Sequence, residues 1–263
     1  MYKREIAGAA AVILIFAVIL VSSGLLRSYA NTIDNVHWQG TPLPPCFVNG
    51  GACGGHVLGT DEVGRDILAR LIVGAPVSLG VSLAAVIFEL VTAALLLWGA
   101  QRGGTALRLI IARCTDAASC LSAWPFIALV AVIAFEERPL VRLAVIALAA
   151  GGLFAARAMV ITSERVSSRS RLRQAARDWA VILLMLATVD FFGFGVQPPT
   201  PSWGNMLVDL QTDMQIAWWA AIFPATSLFL AALIIELAGR TMGTDVLPIE
   251  LRKRAVLAEG SGL

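Results

Sequence analysis

The sequence predicts an all-α integral membrane protein of about six transmembrane helices, with both termini cytoplasmic and a short external amphipathic helix before the second span. Three observations carry this expectation. Of 263 residues, 58% are hydrophobic and only 14% charged, and the mean hydropathy is +0.78, which is more apolar side chain than one soluble core of this size buries. The apolar residues fall in runs of about 20, long enough to cross roughly 30 Å of hydrocarbon. Lys and Arg, finally, concentrate in alternate connections, the asymmetry that sets orientation.

The first run, Ile6 to Leu26, follows Lys3 and Arg4 and reads as a retained signal-anchor helix, so residues 1–26 form the first span. Residues 27–75 follow as an external loop and interfacial helix. Their middle, GTPLPPCFVNGGACGG, is rich in Pro and Gly and favours irregular chain. Cys46 and Cys53 within it either close a small disulfide loop, if that side is oxidising, or stay as two unpaired small residues.

The loop ends in HVLGTDEVGRDILARLIVGA, residues 56–75, where scarce charge is gathered. Thr60 or Asp61 can cap a following helix and Glu62 suits the positive end of its dipole. Asp61 with Arg65, and Asp66 with Arg70, stand at i,i+4, while Val63, Ile67, Leu68, Leu71 and Ile72 supply an apolar side. The spacing therefore predicts a short amphipathic helix on the outer membrane surface, with its charges as the wet face.

The core, residues 76–240, holds about five further helices: Val77 to Ala100, Leu121 to Phe135, Leu140 to Val160, Trp179 to Val196 and Trp218 to Ala238. The second connection (Arg102, Arg108, Arg113), the fourth (Arg157 to Arg177) and the tail 241–263 (Arg252, Lys253, Arg254) are basic and face the cytoplasm. The net charge of +2 hides this segregation. Because the basic residues sit at helix ends without a soluble basic face, no nucleic-acid partner is expected. Cys114 and Cys120, near the inner end of the third span, read as reduced thiols. With His37 and His56 the only histidines, no metal site is expected.

No catalytic constellation and no phosphate loop of the G-x-x-x-x-G-K-[ST] kind occurs, so this chain is not itself an ATPase. Glu89, alone in an apolar run, is a pathway candidate, since an ionisable group at bilayer depth is costly unless it faces protein or water; a local Ser or Thr partner is the alternative. Asp190 invites the same reading, or an interfacial position at the end of a short span. Trp203, in PPTPSWGNM, fits either an external gate or an aromatic belt. An intramembrane enzyme using Glu89 and Asp190 as acid and base is a further, distant alternative.

HVLGTDEVGRDILARLIVGAPVSLGVSLAAV resembles the H-P-L-G-T-D-x-x-G-R-D segment of inner-membrane permease subunits of ATP-binding-cassette importers for dipeptides, oligopeptides and nickel. FFGFGVQPPTPSWGNML, Phe191 to Leu207, is similar to that family's F-L-G-L-G-V-Q-P-P-x-P-x-W-G-x-M-L, and ELAGRTMGTDVLPIELR to its carboxyl ending. Asp116 followed by Trp124-Pro125 matches an Asp and Phe-Pro of its third span. The resemblance runs from about His56 to Arg252 and points to the second permease of the pair.

It implies a multi-pass subunit of the bacterial inner membrane that moves peptides, or a related solute such as a nickel chelate. The implied partners are a homologous permease subunit in a heterodimer, two cytoplasmic ATPase subunits that carry ATP and Mg, an external substrate-binding protein and the lipid bilayer; this chain binds no cofactor of its own. The implied external mouth comprises His56, Asp61, Arg65, Asp66 and Trp203. Coupling to the ATPase falls to a loop near 163–178 with Arg169, Arg171, Arg173, Gln174, Ala175 and Ala176. There the sequence departs from the family: Gln174, Ala175 and Ala176 stand for E-A-A, Ala180 for its Gly, no I-x-L-P follows, and roughly two dozen residues are absent. That shortening opens an alternative, a degenerate paralogue acting as a non-transporting scaffold.

Overall fold

The computed structural model describes residues 21–26, 28–32, 42–48, 54–105, 109–111, 113–114, 141, 145, 149, 168–208 and 216–242. The spans expected at Leu121 to Phe135 and Leu140 to Val160, most of the first span, Cys53, the Arg169 side chain and the tail lie outside or almost outside these residues.

Three long helices make up the described structure: α1 (Ile67–Arg102), α2 (Ser168–Phe191) and α3 (Trp218–Met242). A single 3-10 turn at Asn205–Leu207 lies between α2 and α3, and another at Tyr29–Asn31 packs on α1. Among the described residues, α1 and α3 are long and apolar enough to cross a membrane, with hydropathies of 2.3 and 2.0.

The amphipathic helix and the second span prove to be one rod. Its 36 residues extend about 54 Å, well beyond the hydrocarbon thickness, so α1 runs across the boundary expected at residue 75. The cap lies at Asp66, whose Oδ1 accepts the Ala69 N–H at 2.7 Å, and not at Thr60 or Asp61. Those two are occupied elsewhere, as described below. Pro76 lies inside the helix without ending it; it removes only the bond to the Ile72 carbonyl, a loss that neighbouring groups offset in packed membrane helices. At the far end the Gly103 N–H returns to the Gly99 carbonyl, and the Arg102 guanidinium lies 4.6 Å over the Trp98 ring, a cation suited to the negative end of the dipole.

The faces of α1 divide contrary to the soluble pattern. Ser78, Ser82 and Glu89 are buried on one stripe with Ala75, Ala85 and Ala93, whereas Ile87, Leu90, Val91, Leu95 and Trp98 are exposed. On α3 the residues Ile222, Phe229, Leu230, Leu233, Ile234 and Leu237 are exposed likewise. Small and polar inside with large and apolar outside is the arrangement lipid favours.

α2 was expected as a basic loop followed by a short span at Trp179 to Val196. The chain instead forms 24 continuous helical residues that end at Phe191, with no break between Gln174 and the apolar part because neither Gly nor Pro intervenes. Two apolar layers hold the bundle: Ala85 and Val86 against Ile182, Met185, Leu186 and Val189, and Ala75 and Leu79 against Leu183, Ala187, Trp203 and Leu228. A third joins Ile67 to Ala217, Trp219 and Ala220.

Candidate functional site

The segment from His56 to Asp66 is a turn that locks itself. The Asp61 carboxylate accepts the Val63 and Arg65 N–H groups on Oδ1 at 3.1 and 2.8 Å, and Arg65 Nε on Oδ2 at 2.7 Å. A short acceptor side chain that binds nearby backbone amides offers an alternative to helix, which is why Asp61 and Arg65 pair at i,i+4 without being helical. Gly64, at φ +85°, reverses the chain between them, a conformation open to glycine. Thr60 is fully buried: it exchanges bonds with Leu43, its N–H donating to the Leu43 carbonyl and its Oγ1 accepting the Leu43 N–H. Its carbonyl accepts Trp219 Nε1 of α3 at 3.0 Å.

Asp66, besides capping α1, lies 2.7 Å from His56 Nδ1, and both side chains are buried. It does not pair with Arg70. Arg70 turns to Asp61, with Nε 3.8 Å from Oδ2, and to Asn31. Gly59, at φ +80°, leaves no room for a Cβ, which would sit 2.5 Å from the Leu43 carbonyl oxygen and 2.9 Å from Trp219 Nε1.

The second motif, residues 190–208, is organised by Asp190 at the end of α2. Its Oδ2 accepts Ser202 Oγ at 2.6 Å and its Oδ1 the Val196 N–H at 2.8 Å, all buried. Ser202 and Asn205 close a ring of mutual bonds: the Ser202 N–H donates to Asn205 Oδ1, and the Asn205 N–H to Ser202 Oγ. Asn205 Nδ2 also reaches the Val196 and Thr200 carbonyls. Gly195 and Gly204 are demanded by this packing, because a Cβ at either would collide with Asp190, and at Gly204 also with the Ala187 backbone. Trp203 is buried, donating its N–H to Ser78 Oγ at 3.0 Å and its indole N–H to the Leu71 carbonyl at 2.9 Å. Each motif is thus pinned to another helix, the first to α3 through Trp219 and the second to α1 through Trp203.

Between the two motifs lies a cavity of about 250 Å³. Asp61, Glu62 and Arg65 of the first motif, Arg70 of α1, and Asp190, Gln197 and Asn205 of the second motif line it, and Ile67, Val196, Met206 and Ala220 give apolar surface.

The other end of α2 is built differently. Glu89 is fully buried, and neither of its carboxylate oxygens has a hydrogen-bond donor among the described residues. The side chain that acts on it is a second buried acid, Asp178 of α2, which accepts Gln174 Nε2 at 2.9 and 3.1 Å. No Ser or Thr among the described residues partners Glu89: Ser82, about two turns earlier, accepts Trp179 Nε1 at 3.0 Å and donates to the Ser78 and Leu79 carbonyls. Of the E-A-A counterpart, Ala175 packs on the α1–α2 layer. A Cβ at Gly239 of α3 would come 2.5 Å from that of Ala176, so the two helices meet through small residues. Arg177 lies 3.8 Å from Glu236, which also pairs with Arg240 at 2.9 Å. Arg171, Leu172, Arg173 and Arg177 are exposed.

Of the residues expected at the mouth, Asp61 and Arg65 line the cavity, whereas His56, Asp66 and Trp203 are buried in the frame that holds it. Glu89 and Asp190 are not brought together: Asp190 has its own donors and Glu89 faces Asp178. Cys46 is disulfide-bonded, and Cys114 is a free, exposed thiol. Sequence reasoning missed Asp178, Ser202 and Asn205, and it set Arg70 against Asp66 where the structure turns it to Asp61 and Asn31. Asp178 sits in an arginine-rich stretch that reads as loop. The signal for Ser202 and Asn205 was the crowding of Gly and Pro around them, which demands side chains able to satisfy an irregular backbone.

No protein-family model matches the chain. It is similar to the di/tripeptide transport system permease protein of Pseudomonas aeruginosa, 33% identical over 243 residues that cover 81% of this chain and 78% of the relative. It is likewise similar to the dipeptide transport system permease protein of Escherichia coli K12, 33% identical over 224 residues, covering 74% and 73%. A glutathione transport system permease protein of Pectobacterium atrosepticum is 28% identical over 221 residues, covering 73% of this chain and 72% of its own length.

Proposed function

The chain belongs to the family of permease subunits of peptide ABC transport systems, and from that premise we propose that it forms half of a passage that admits short peptides. It is a transport subunit and not an enzyme; ATP hydrolysis belongs to partner subunits. The three relatives' names speak of di- and tripeptides and of glutathione, which favours a peptide over a nickel chelate as cargo. The full proposal is a six-span chain of the bacterial inner membrane with both termini cytoplasmic. It pairs with a homologous permease, two ATPase subunits that carry ATP and Mg, and an external binding protein. The domain boundaries are those expected above, except that α1 joins the external segment to the core. The start of α1 and the end of α2 then face outward, and the partner of Cys46 is Cys53.

The observation that carries this reading is the interlocked outer assembly. The two segments most like the family's motifs lie side by side through separate contacts with α1 and α3, and they bound a polar cavity. A second reading, the non-transporting scaffold, is favoured by one specific observation: Ala175 and Ala176, which stand for the family's docking residues, are packed within the chain's own helices. In the transport reading, contact with the ATPase falls to the exposed Arg171, Arg173 and Arg177 and to Arg169, while Gln174 positions Asp178.

The test is ATP hydrolysis by the purified complex in lipid, with and without binding protein, for wild type and for a variant with Arg171, Arg173 and Arg177 all changed to Ala. The transport reading expects stimulation in the wild type and its loss in the variant. A chain that never copurifies with an ATPase would establish the scaffold.

A further inference from the structure

The cavity between the two motifs holds polar groups of both signs whose bonding is incomplete. Arg65 uses Nε for Asp61, and its two terminal nitrogens have no partner among the described residues. Asp61 is held in turn by the Val63 and Arg65 amides, so the guanidinium is fixed from behind and its outer edge is left to accept a carboxylate in the two-pronged geometry that Arg favours. Glu62, which lines the same cavity, is half-buried and also has no partner among the described residues. Ile67, Val196, Met206 and Ala220 give the space beside these charges an apolar lining. The volume, about 250 Å³, falls just below the roughly 300–1,000 Å³ of sites for larger organic ligands, so the cavity suits a molecule of one or two residues and not a long chain.

We propose that this cavity is a binding site for a short zwitterion, a dipeptide-sized molecule whose free carboxylate meets Arg65, whose free ammonium meets Glu62, and whose small apolar side chain rests on Ile67, Met206 and Ala220. The site rests on the reading of the chain as a peptide permease: cargo released by the binding protein pauses here, held by both termini, before it enters the passage. Selection for length follows, because the two charges line one cavity of about 250 Å³ and can meet both termini only of a molecule short enough to lie within it. Arg70 and Asp190 line the same space but are committed to Asp61 and Asn31, and to Ser202 and Val196, so they shape the walls without being spent on the ligand.

The experiment is equilibrium binding of radiolabelled alanylalanine to the complete transporter in lipid nanodiscs, in the absence of binding protein, with N-acetyl-alanylalanine and alanylalanine amide as competitors. Wild type is expected to bind saturably, and blocking either terminus is expected to weaken binding by about tenfold or more. In Glu62→Gln the N-acetyl block is expected to cost little further, while the amide block keeps its full effect; in Arg65→Lys the pattern reverses. The analogue comparison on wild type needs no variant to fold. Absence of saturable binding, equal competition by the blocked peptides, or unchanged discrimination in Glu62→Gln would overturn the proposal. ATP hydrolysis stimulated by binding protein, measured on the same nanodiscs, separates the two levels: stimulation without dipeptide binding removes the cavity site and leaves the permease reading, and loss of both removes that reading too.

Discussion

The two ends of α2 solve the problem of acidic side chains in opposite ways. At the carboxyl end, outermost in the proposed orientation, Asp190 accepts a hydroxyl and an amide at 2.6 and 2.8 Å, and nearby Asp61 accepts two amides and a guanidinium. Toward the amino end, innermost in that orientation, Glu89 has no donor among the described residues, and its neighbour is another acid, Asp178 of α2. A buried carboxylate with several donors fixes one arrangement of the chain, while one without them favours any rearrangement that supplies a donor or a counter-charge. The contrast suits the Asp190 end to holding shape and the Glu89 end to changing it, and under the proposed orientation that is the division a passage driven from the cytoplasmic side requires.

The largest effect is expected where the outer frame is tightest. Gly204→Ala places a methyl group against the Ala187 backbone and Asp190; neither can yield without moving α2, so a loss of about 3 kcal/mol or more is expected, seen as disappearance of the chain from a membrane fraction by fluorescence-detected size exclusion. Asp190→Ala comes next. It leaves Ser202 Oγ and the Val196 N–H without their acceptor in a buried site, and about 2–4 kcal/mol should be lost, read as a lowered unfolding midpoint in detergent. Survival of either variant at wild-type stability would dissolve the distinction between the ends.

At the Glu89 end the sign reverses. Glu89→Gln removes a buried acid facing another and supplies a donor to Asp178, so stability should rise by about 1–2 kcal/mol, while stimulation of ATP hydrolysis by binding protein falls. A destabilised Glu89→Gln would mean that the acid has a partner holding it in place. The smallest effect is expected for Glu236→Gln, which weakens partly exposed pairs with Arg177 and Arg240; such pairs are worth under about 1 kcal/mol, and thermal unfolding should hardly register the change.

Much of this contrast was legible in the sequence, though unevenly. The apolar runs at Val77 to Ala100 and Trp218 to Ala238 located α1 and α3 to within a few residues at most ends, because span length is set by the bilayer. Glu89 stood out because charge is rare in such a run. What could not be read was how polar groups choose partners. The i,i+4 spacing of Asp61 with Arg65 is the same in a helix and in a turn closed by side-chain bonds, and only Gly59 and Gly64 hinted at the turn. Asp66 and Arg70 have ideal helical spacing and still pair elsewhere, since His56 and Asp61 reach them from loop segments. The pairing of Glu89 with Asp178 needed the register of two helices 89 positions apart in the chain, which no local pattern contains.

Hydrogen–deuterium exchange on the complete transporter in nanodiscs, with and without ATP bound under conditions that block hydrolysis, tests the division between the ends most directly. The account predicts that amides in residues 59–66 and 194–206 keep the same protection in both states, while those in 171–178 and 236–242 change. Exchange that changes in 59–66 and 194–206 while 171–178 and 236–242 stay constant would contradict it.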